Sequence, residues 1–474
     1  MLVLRNSLVG IFLIIKNHQI ELINKLNLPS LNNCSVAVIG LGYVGLPLAI
    51  AIANQKRCIL SNKKIQRNVI GFDLDISRIT ELKKGFDRNK ISSKNAHEKL
   101  ENIKFTNDTN SLKKVDVFII TVPTPIDKKN NPNLTFIKAA SKLVGESIRA
   151  LEKNQINKII IYESTVYPGL TEEICVPIIE KNSGLIHNNP KNECTFFCGY
   201  SPERINPGDS NHTINTIVKV TSGCNKYVAS WIDEFYGSFI KAGTHKVSSI
   251  KVAESAKIIE NIQRDINIAL VNELSMLFKK IDVDTHEVLE AANTKWNFHK
   301  YRPGLVGGHC IGVDPYYLTF KAQEIGFDTK LISAGRIINN YMYEYLFKEI
   351  INLVSKSNEE ENYIKILLLG ITYKSNCSDM RNSQLVLLAE KLKKRNFEIT
   401  IVDPKVDKGK ALEEISLEIL LEIPKNEKYS MIIFGLYHKE FNHLTYEVLK
   451  ESTQKNAVII DLTNKIFGEN VIHL

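Results

Sequence analysis

Few patterns narrow a fold as far as a strand, a glycine turn and a helix in immediate succession. Ser35-Val36-Ala37-Val38-Ile39 is an apolar run of strand length. It enters Gly40-Leu41-Gly42-Tyr43-Val44-Gly45 and then an apolar helical stretch from Leu46 to Ala53. This is the dinucleotide fingerprint in its proper context. Gly40 makes the tight turn, Gly42 lets a pyrophosphate approach the backbone, and Gly45 lets helix and strand pack closely. N–H groups at the helix start, around Tyr43, Val44 and Gly45, can then face the phosphates. A second strand, Val69 to Phe72, ends at Asp73, where a carboxylate can accept both ribose hydroxyls. An acid there favours NAD over NADP. The interval from turn to acid is lengthened by a polar loop, Cys58 to Arg67, and surface loops tolerate such insertions. Arg78 lies about one helical turn beyond; it can meet the adenosine end or be a plain surface arginine.

The chain continues to alternate strand and helix patterns, as an α/β doubly wound sheet requires. Val115 to Ile120 is a buried-strand run leading into Thr121-Val122-Pro123-Thr124-Pro125. Ligands in such sheets bind beyond the carboxyl ends of strands, so Thr124 should border the cofactor, unless the prolines mark only a rigid turn. Lys158 to Tyr162 is another strand, followed by Glu163-Ser164-Thr165-Val166. Thr165 can hold a water or simply cap a helix. Phe196 to Tyr200 precedes Ser201-Pro202-Glu203-Arg204. That Glu–Arg pair is either a surface ion pair or an acid/base group beside an anion clamp.

From Ser249 the pattern becomes helical. Ile259, Ile262, Ile266, Leu270, Leu274 and Leu277 follow a 3.6-residue period. Lys257 and Asn261 share one face of this helix, as a solvated stripe or as an ammonium and an amide aimed into a cleft. Next comes Arg302-Pro303-Gly304-Leu305-Val306-Gly307-Gly308-His309-Cys310-Ile311-Gly312-Val313-Asp314. Its glycines leave room for a small molecule, and Cys310 is a candidate nucleophile; a tight turn with a buried thiol is the plainer alternative. A helical stretch from Leu331 toward Ser355 then leads to a second α/β pattern. Its strands are Ile364–Leu369, Phe397–Val402, Ser430–Phe434 and Ala457–Leu462. It lacks the glycine fingerprint. Its first turn, Gly370 to Arg381, is polar and basic, and Lys374 and Arg381 are candidate phosphate or ribose contacts.

Composition excludes other classes. The net charge of +9 is spread along 474 residues and forms no nucleic-acid stripe. Eight cysteines without paired spacing suit a reducing cytoplasm. Cys194 and Cys198 lack a second ligand pair, so no metal site is expected and both read as strand or loop thiols. The apolar run Leu8 to Ile15 is too short to span a bilayer and lacks a cleavage site, so neither membrane nor secretion is expected.

Six motifs in this order resemble the UDP-glucose/GDP-mannose dehydrogenase family. They are Gly40 to Pro47, Glu163 to Val166, Ser201 to Arg204, Lys257 with Asn261, Gly308-His309-Cys310 with Asp314, and Lys374 through Arg381. The resemblance covers nearly everything from Ser35 onward. It implies an N-terminal Rossmann NAD-binding domain and a C-terminal Rossmann-like UDP-sugar-binding domain joined by a long central helix. The expected divisions are an extension at 1–33, the NAD domain at 34–246, a helical dimerisation and active-site domain at 247–350, and the UDP-sugar domain at 351–474. It also implies a two-step, NAD-dependent oxidation of a UDP-sugar at C6, with a homodimer or higher homo-oligomer.

By this resemblance Cys310 is the nucleophile that carries a thiohemiacetal and then a thioester, while Lys257 and Asn261 stabilise the oxyanion. Asp314 with Thr165 holds the water, and Glu203 is a family glutamate at the site. Arg204, Arg302, Gly307 and Lys374 join Glu203, Lys257 and Asn261 around the sugar nucleotide, and Arg381 borders the cofactor. Enzymes of the family that act on UDP-glucose carry a second glutamate soon after the first; here the run is Arg204-Ile205-Asn206-Pro207-Gly208. That departure is similar to the N-acetylhexosamine branch, whose substrates are UDP-N-acetylglucosamine and UDP-N-acetylgalactosamine. UDP-glucose or UDP-N-acetylmannosamine is the alternative substrate, and a dinucleotide-binding sensor without catalysis is the reading from another class.

Overall fold

The computed structural model describes residues 26–88, 100–149, 157–189, 195–205, 212–356, 364–406, 409, 411 and 417–473. The Leu8–Ile15 run, Cys194 and Asn206-Pro207-Gly208 lie outside the described residues. The chain divides into two compact units, Met1–Ile258 and Ile259–Leu474.

Unit 1 begins with β1 (Ser35–Ile39), α1 (Gly45–Asn54), β2 (Asn68–Phe72) and α2 (Ile76–Lys83). It continues through β3 (Ile103–Thr106), β4 (Val117–Ile120), α3 (Thr135–Ile148), β5 (Lys158–Tyr162) and α4 (Val176–Ser183). β6 (Ile186–His187), β7 (Thr195–Tyr200), β8 (Lys219–Gly223), α5 (Lys226–Gly237) and β9 (Thr244–Lys246) complete it. The sheet order is β3-β2-β1-β4-β5-β7-β8-β9, with β6 also on β7. Among these strands only the β7–β8 pairing is antiparallel. The order reverses between β1 and β4, and Val38 pairs with Gly71 on one side and Ile119 on the other. A crevice opens beyond the carboxyl ends of strands at such a reversal. β4 and β5 are buried along their whole length, as expected of parallel strands covered on both faces.

The inserted loop between α1 and β2 is not purely a surface feature. Arg67 is buried, donates to the Leu31 carbonyl at 2.9 and 2.6 Å, and stacks on the Phe235 ring at 4.4 Å. Cys198 lies in β7 and is buried.

The helix α6 (Ile250–Lys280) contains the division between the units. Its apolar period does not mark its buried face. Ile259, Leu270 and Leu277 are about half exposed, whereas Glu254, Lys257, Asn261, Asp265, Asn272 and Ser275 are buried. Polar groups can occupy the inner face because partners satisfy them. Asp265 receives Arg336 at 2.6 Å and the Asn339 amide at 2.7 Å, and Asn272 reaches Asn339 at 2.9 Å.

Unit 2 contains α7 (Thr285–Ala292), α8 (Asp314–Glu324) and α9 (Lys330–Lys356), then β10 (Lys365–Leu369), α10 (Gln384–Lys394) and β11 (Glu398–Val402). β12 (Tyr429–Phe434), α11 (Tyr446–Lys450), β13 (Thr453–Asp461) and β14 (Val471–His473) follow. All pairings in its sheet, ordered β11-β10-β12-β13-β14, are parallel. β10 shows no alternation of buried and exposed residues. Ile366, Leu367, Leu368 and Leu369 are all buried, because both faces of the strand are covered by core. Among the described residues no helix is long and apolar enough to cross a membrane.

Candidate active site

The turn after β1 is built as its glycines require. Gly40 has φ of +94°, open to glycine at little cost. A Cβ at Gly45 would lie 1.8 Å from the Gly40 carbonyl oxygen and 2.4 Å from the Thr121 hydroxyl, so α1 can pack on β1 only without one. Gly42 is exposed and a Cβ there would meet nothing within 4 Å, which leaves its surface open to a ligand. No side chain caps the first turn of α1. Asp73 Oδ2 accepts from the Leu41 N–H at 2.8 Å, and Oδ1 accepts from the Asp75 N–H at 3.0 Å. Each oxygen keeps a further lone pair, so the same carboxylate that holds the glycine turn can accept ribose hydroxyls. This cradle fits a dinucleotide.

Arg78 is buried and is not a surface arginine. Its Nε donates to the Leu41 carbonyl at 3.1 Å and its guanidinium pairs with Asp87 at 2.8 Å, so it braces the glycine turn from α2. Thr124 follows β4 in the segment adjoining this crevice. Within that segment Thr121 Oγ1 donates to the Gly40 carbonyl at 2.7 Å and Ser164 Oγ donates to the Val122 carbonyl at 2.6 Å. Thr165 is half-buried after β5. Helical structure resumes at Thr171, so Thr165 caps no helix.

Glu203 is buried, and its Oε1 accepts the N–H groups of Arg204 and Ile205, each at 2.7 Å. Glu203 is therefore not a surface carboxylate. Arg204 donates to the Val218 carbonyl at 3.0 Å. Lys219 bridges Glu203 at 3.0 Å and Glu163 at 2.7 Å, and the Tyr236 hydroxyl also donates to Glu163. Lys219 and Tyr236 escaped the sequence reading because they sit on apolar strand and helix patterns with no motif around them. Burial pushes the Glu163 carboxyl up, Lys219 opposes this, and Glu203 adds to it, leaving it at about 7.

Lys257 and Asn261 are 8% and 6% exposed, which rules out a solvated stripe. The Asn261 amide donates to Asp314 Oδ2 at 2.5 Å. An amide NH2 carries a second donor for a ligand oxygen. Asp314 is fully buried at the start of α8, and its N–H and that of Val313 donate to the Cys310 carbonyl at 2.9 and 3.1 Å. Cys310 is exposed, so the thiol of this loop is not a buried one.

Two glycines of the loop also make close packing within the chain possible. A Cβ at Gly307 would lie 2.5 Å from the Asn382 carbonyl, and one at Gly308 would lie 2.4 Å from the Tyr373 ring. Only Gly304 has nothing within 4 Å, so most of the room belongs to the protein's own turn from Tyr373 to Gln384. Asn272 clamps the loop entrance, donating to the Gly304 carbonyl at 3.0 Å and accepting its N–H at 2.8 Å. Gln384 donates to the Val306 carbonyl at 2.7 Å, and His309 bonds Asp379 at 3.1 Å. Asp379 also takes a two-pronged bond from the exposed Arg381. The Lys374 backbone carbonyl accepts from Thr372 at 3.2 Å, and Arg302 is exposed.

The second Rossmann-like sheet repeats the first turn with one difference. Gly370 has φ of +78°, and Asp403, at the end of β11, accepts the Ile371 N–H at 2.8 Å as Asp73 accepts Leu41. Yet Asp403 is fully buried and bonded to His438 Nε2 at 3.0 Å, while His438 Nδ1 accepts the Asn376 N–H at 2.9 Å. That leaves Asp403 closed to a ribose.

Three family models match the chain. They describe the NAD binding, central and UDP binding domains of the UDP-glucose/GDP-mannose dehydrogenase family, over residues 34–240, 251–341 and 367–467. Protein CapL of Staphylococcus aureus is 47% identical over 409 residues, covering 86% of this chain and 91% of that protein. A UDP-N-acetyl-D-glucosamine 6-dehydrogenase of Pseudomonas aeruginosa is 44% identical over 432 residues, covering 91% and 97%. A solved UDP-D-ManNAc dehydrogenase from Pyrococcus horikoshii superposes with a TM-score of 0.77 at 28% identity, covering 93% of this chain and 98% of that one.

Proposed function

The chain belongs to the UDP-glucose/GDP-mannose dehydrogenase family, and on that premise we propose that it oxidises C6 of a UDP-N-acetylhexosamine from alcohol to carboxylate for surface-polysaccharide synthesis. The substrate is the N-acetylglucosamine or N-acetylgalactosamine form, and the name of the Pseudomonas relative supports the former. NAD, bound on the glycine turn, supplies the hydride acceptor at each of the two oxidations.

The observation that carries this reading is an exposed cysteine whose carbonyl caps the helix start at a buried aspartate, itself bonded to Asn261. The Cys310 thiolate adds to the C6 aldehyde, and loss of the second hydride leaves a thioester. Lys257 and the second Asn261 donor stabilise the oxyanion. Asp314 and Thr165 hold the water that hydrolyses the thioester, and Glu203 accepts its proton. Gly40, Gly42, Tyr43, Val44, Gly45 and Asp73 hold the cofactor, with Arg78, Thr124 and Arg381 beside it. Glu203, Arg204, Arg302, Gly307 and Lys374 hold the sugar nucleotide.

The homo-oligomer is part of the same reading. Ile259, Ile266, Leu270 and Leu277 repeat by sevens and fours along α6, the spacing of a helix seam, and three of them are exposed.

Purified protein, NAD and a panel of UDP-sugars test the reaction. Two NADH should form per N-acetylated sugar. Preference for UDP-glucose over both N-acetylated sugars would overturn the branch. One NADH with free aldehyde would overturn the thioester. Cys310→Ala should lower carboxylate formation by at least about 1,000-fold while NAD affinity holds.

A further inference from the structure

The sequence motifs account for Glu203 but not for what surrounds it. Four side chains from four parts of unit 1 converge there: Glu163 after β5, Glu203 after β7, Lys219 from β8 and Tyr236 from α5. All four are buried, and Glu163 shows no exposed side-chain surface. One ammonium faces two carboxyl groups, so with both ionised the cluster carries a net negative charge away from water. Burial of an uncompensated charge is costly, and a cluster of this kind relieves it by binding one proton.

Hydrogen-bond geometry decides which carboxyl takes the proton. Glu203 is held by three donors that cannot reverse: the N–H groups of Arg204 and Ile205 on Oε1, and Lys219 on Oε2. Such donors favour the carboxylate. Glu163 has Lys219 on Oε2 and the Tyr236 hydroxyl on Oε1. A hydroxyl can turn and accept, so Tyr236 can serve the protonated carboxyl as well as the ionised one. The Tyr236 ring also presents its face to Lys219 Nζ at 5.3 Å, which keeps the lysine charged. Other groups nearby have their own partners: Tyr200 donates to the Ser164 carbonyl at 3.2 Å, and Ser201 donates to the Val220 carbonyl at 2.7 Å.

We propose that Glu163, Lys219 and Tyr236 are positioning residues that hold Glu203 as a carboxylate, with Glu163 the member of the pair that takes up the proton. The proton comes from solvent and brings the cluster from net −1 to neutral. The direction of the Glu163 shift, upward through burial despite Lys219, agrees with this assignment. The inference rests on Glu203 being the glutamate of the proposed reaction.

Two measurements test it. Infrared spectra of the protein without substrate should show protonated carboxyl absorbance that fades as pH rises through about 7; Glu163→Gln should lose the Glu163 band and keep that of Glu254, which burial also pushes up to about 7. In Tyr236→Phe, which loses one donor to the ionised form, the Glu163 band should persist to higher pH. Unchanged absorbance in Glu163→Gln would overturn the assignment, whether or not any UDP-sugar is oxidised. In kinetics, Glu163→Gln mimics the protonated carboxyl and should leave the acid limb of kcat in place, while Lys219→Met removes the ammonium on Glu203 and should move it up by about one pH unit. A limb that moves in Glu163→Gln, or that stays in place in Lys219→Met, would overturn the positioning role. A purely structural role would lower activity equally at every pH. Failure of the wild type to oxidise any UDP-sugar would sink the functional reading alone.

Discussion

A Cβ at Gly45 would strike the Gly40 carbonyl, whereas one at Gly42 would meet open space. Both glycines read as one motif, yet their replacement should separate. Gly45→Ala should destabilise unit 1 by about 1–3 kcal/mol or more, because backbone blocks the added methyl. Gly42→Ala has no such neighbour and no positive φ to violate, so its melting temperature should match the wild type while NAD affinity falls about tenfold or more. Titration calorimetry beside thermal melts would check the pair; equal losses of stability would refute the division. Arg78 gives a similar lesson. Its position after Asp73 is legible in the sequence, but its bond to the Leu41 carbonyl depends on how α2 folds back on the turn.

Elements carry their own constraints. β6 places His187 against Phe196, ring centroids 5.3 Å apart, with Nε2 buried and unpartnered. Burial pushes this imidazole down to about 4, with Glu180 opposing the shift. The folded state therefore binds fewer protons than the unfolded chain between about pH 6.5 and 4. Its contribution is complete above pH 6.5 and is lost as pH falls through that window. From pH 6.5 to 5 the loss should be about 2 kcal/mol. His187→Phe should remove that part of the pH dependence, as urea melts at pH 5 and pH 7 would record. A variant that keeps the full acid sensitivity would count against this cause. α6 shows where periodicity misleads: a 3.6-residue apolar pattern identifies a helix, but burial of Asp265 and Asn272 is decided by Arg336 and Asn339 far along the chain.

At the scale of the molecule, Ile259, Leu270 and Leu277 leave an apolar seam of α6 exposed among the described residues. If copies pair along that helix, Leu270→Lys with Leu277→Lys should shift the species seen by analytical ultracentrifugation to monomer, with NAD binding retained by unit 1. A wild type that sediments as a monomer at micromolar concentration would remove the oligomer from the reading. The two Rossmann-like sheets also differ through one residue pair. Asp73 keeps lone pairs available, while Asp403 is sealed by His438, so the turn is open to a ribose in one unit and closed to it in the other.

Local order was written plainly in the chain. Strands such as β1, β4 and β10 are apolar runs because both faces are covered, and the glycine turn with Asp73 announces a dinucleotide site because its fold needs glycine at positions 40 and 45 and leaves position 42 open. Cys310 and Asp314 could be picked out because they share one short loop. Contacts between distant segments left no such trace. Lys219 lies in a strand pattern, Tyr236 in a helix pattern, and Asn272 within an ordinary amphipathic run, yet they close on Glu203, Glu163 and Gly304 from elsewhere in the sequence. Periodicity records which face an element turns inward only when that face is apolar. Where a buried face is polar, its partners come from elsewhere in the chain, and only tertiary structure decides them.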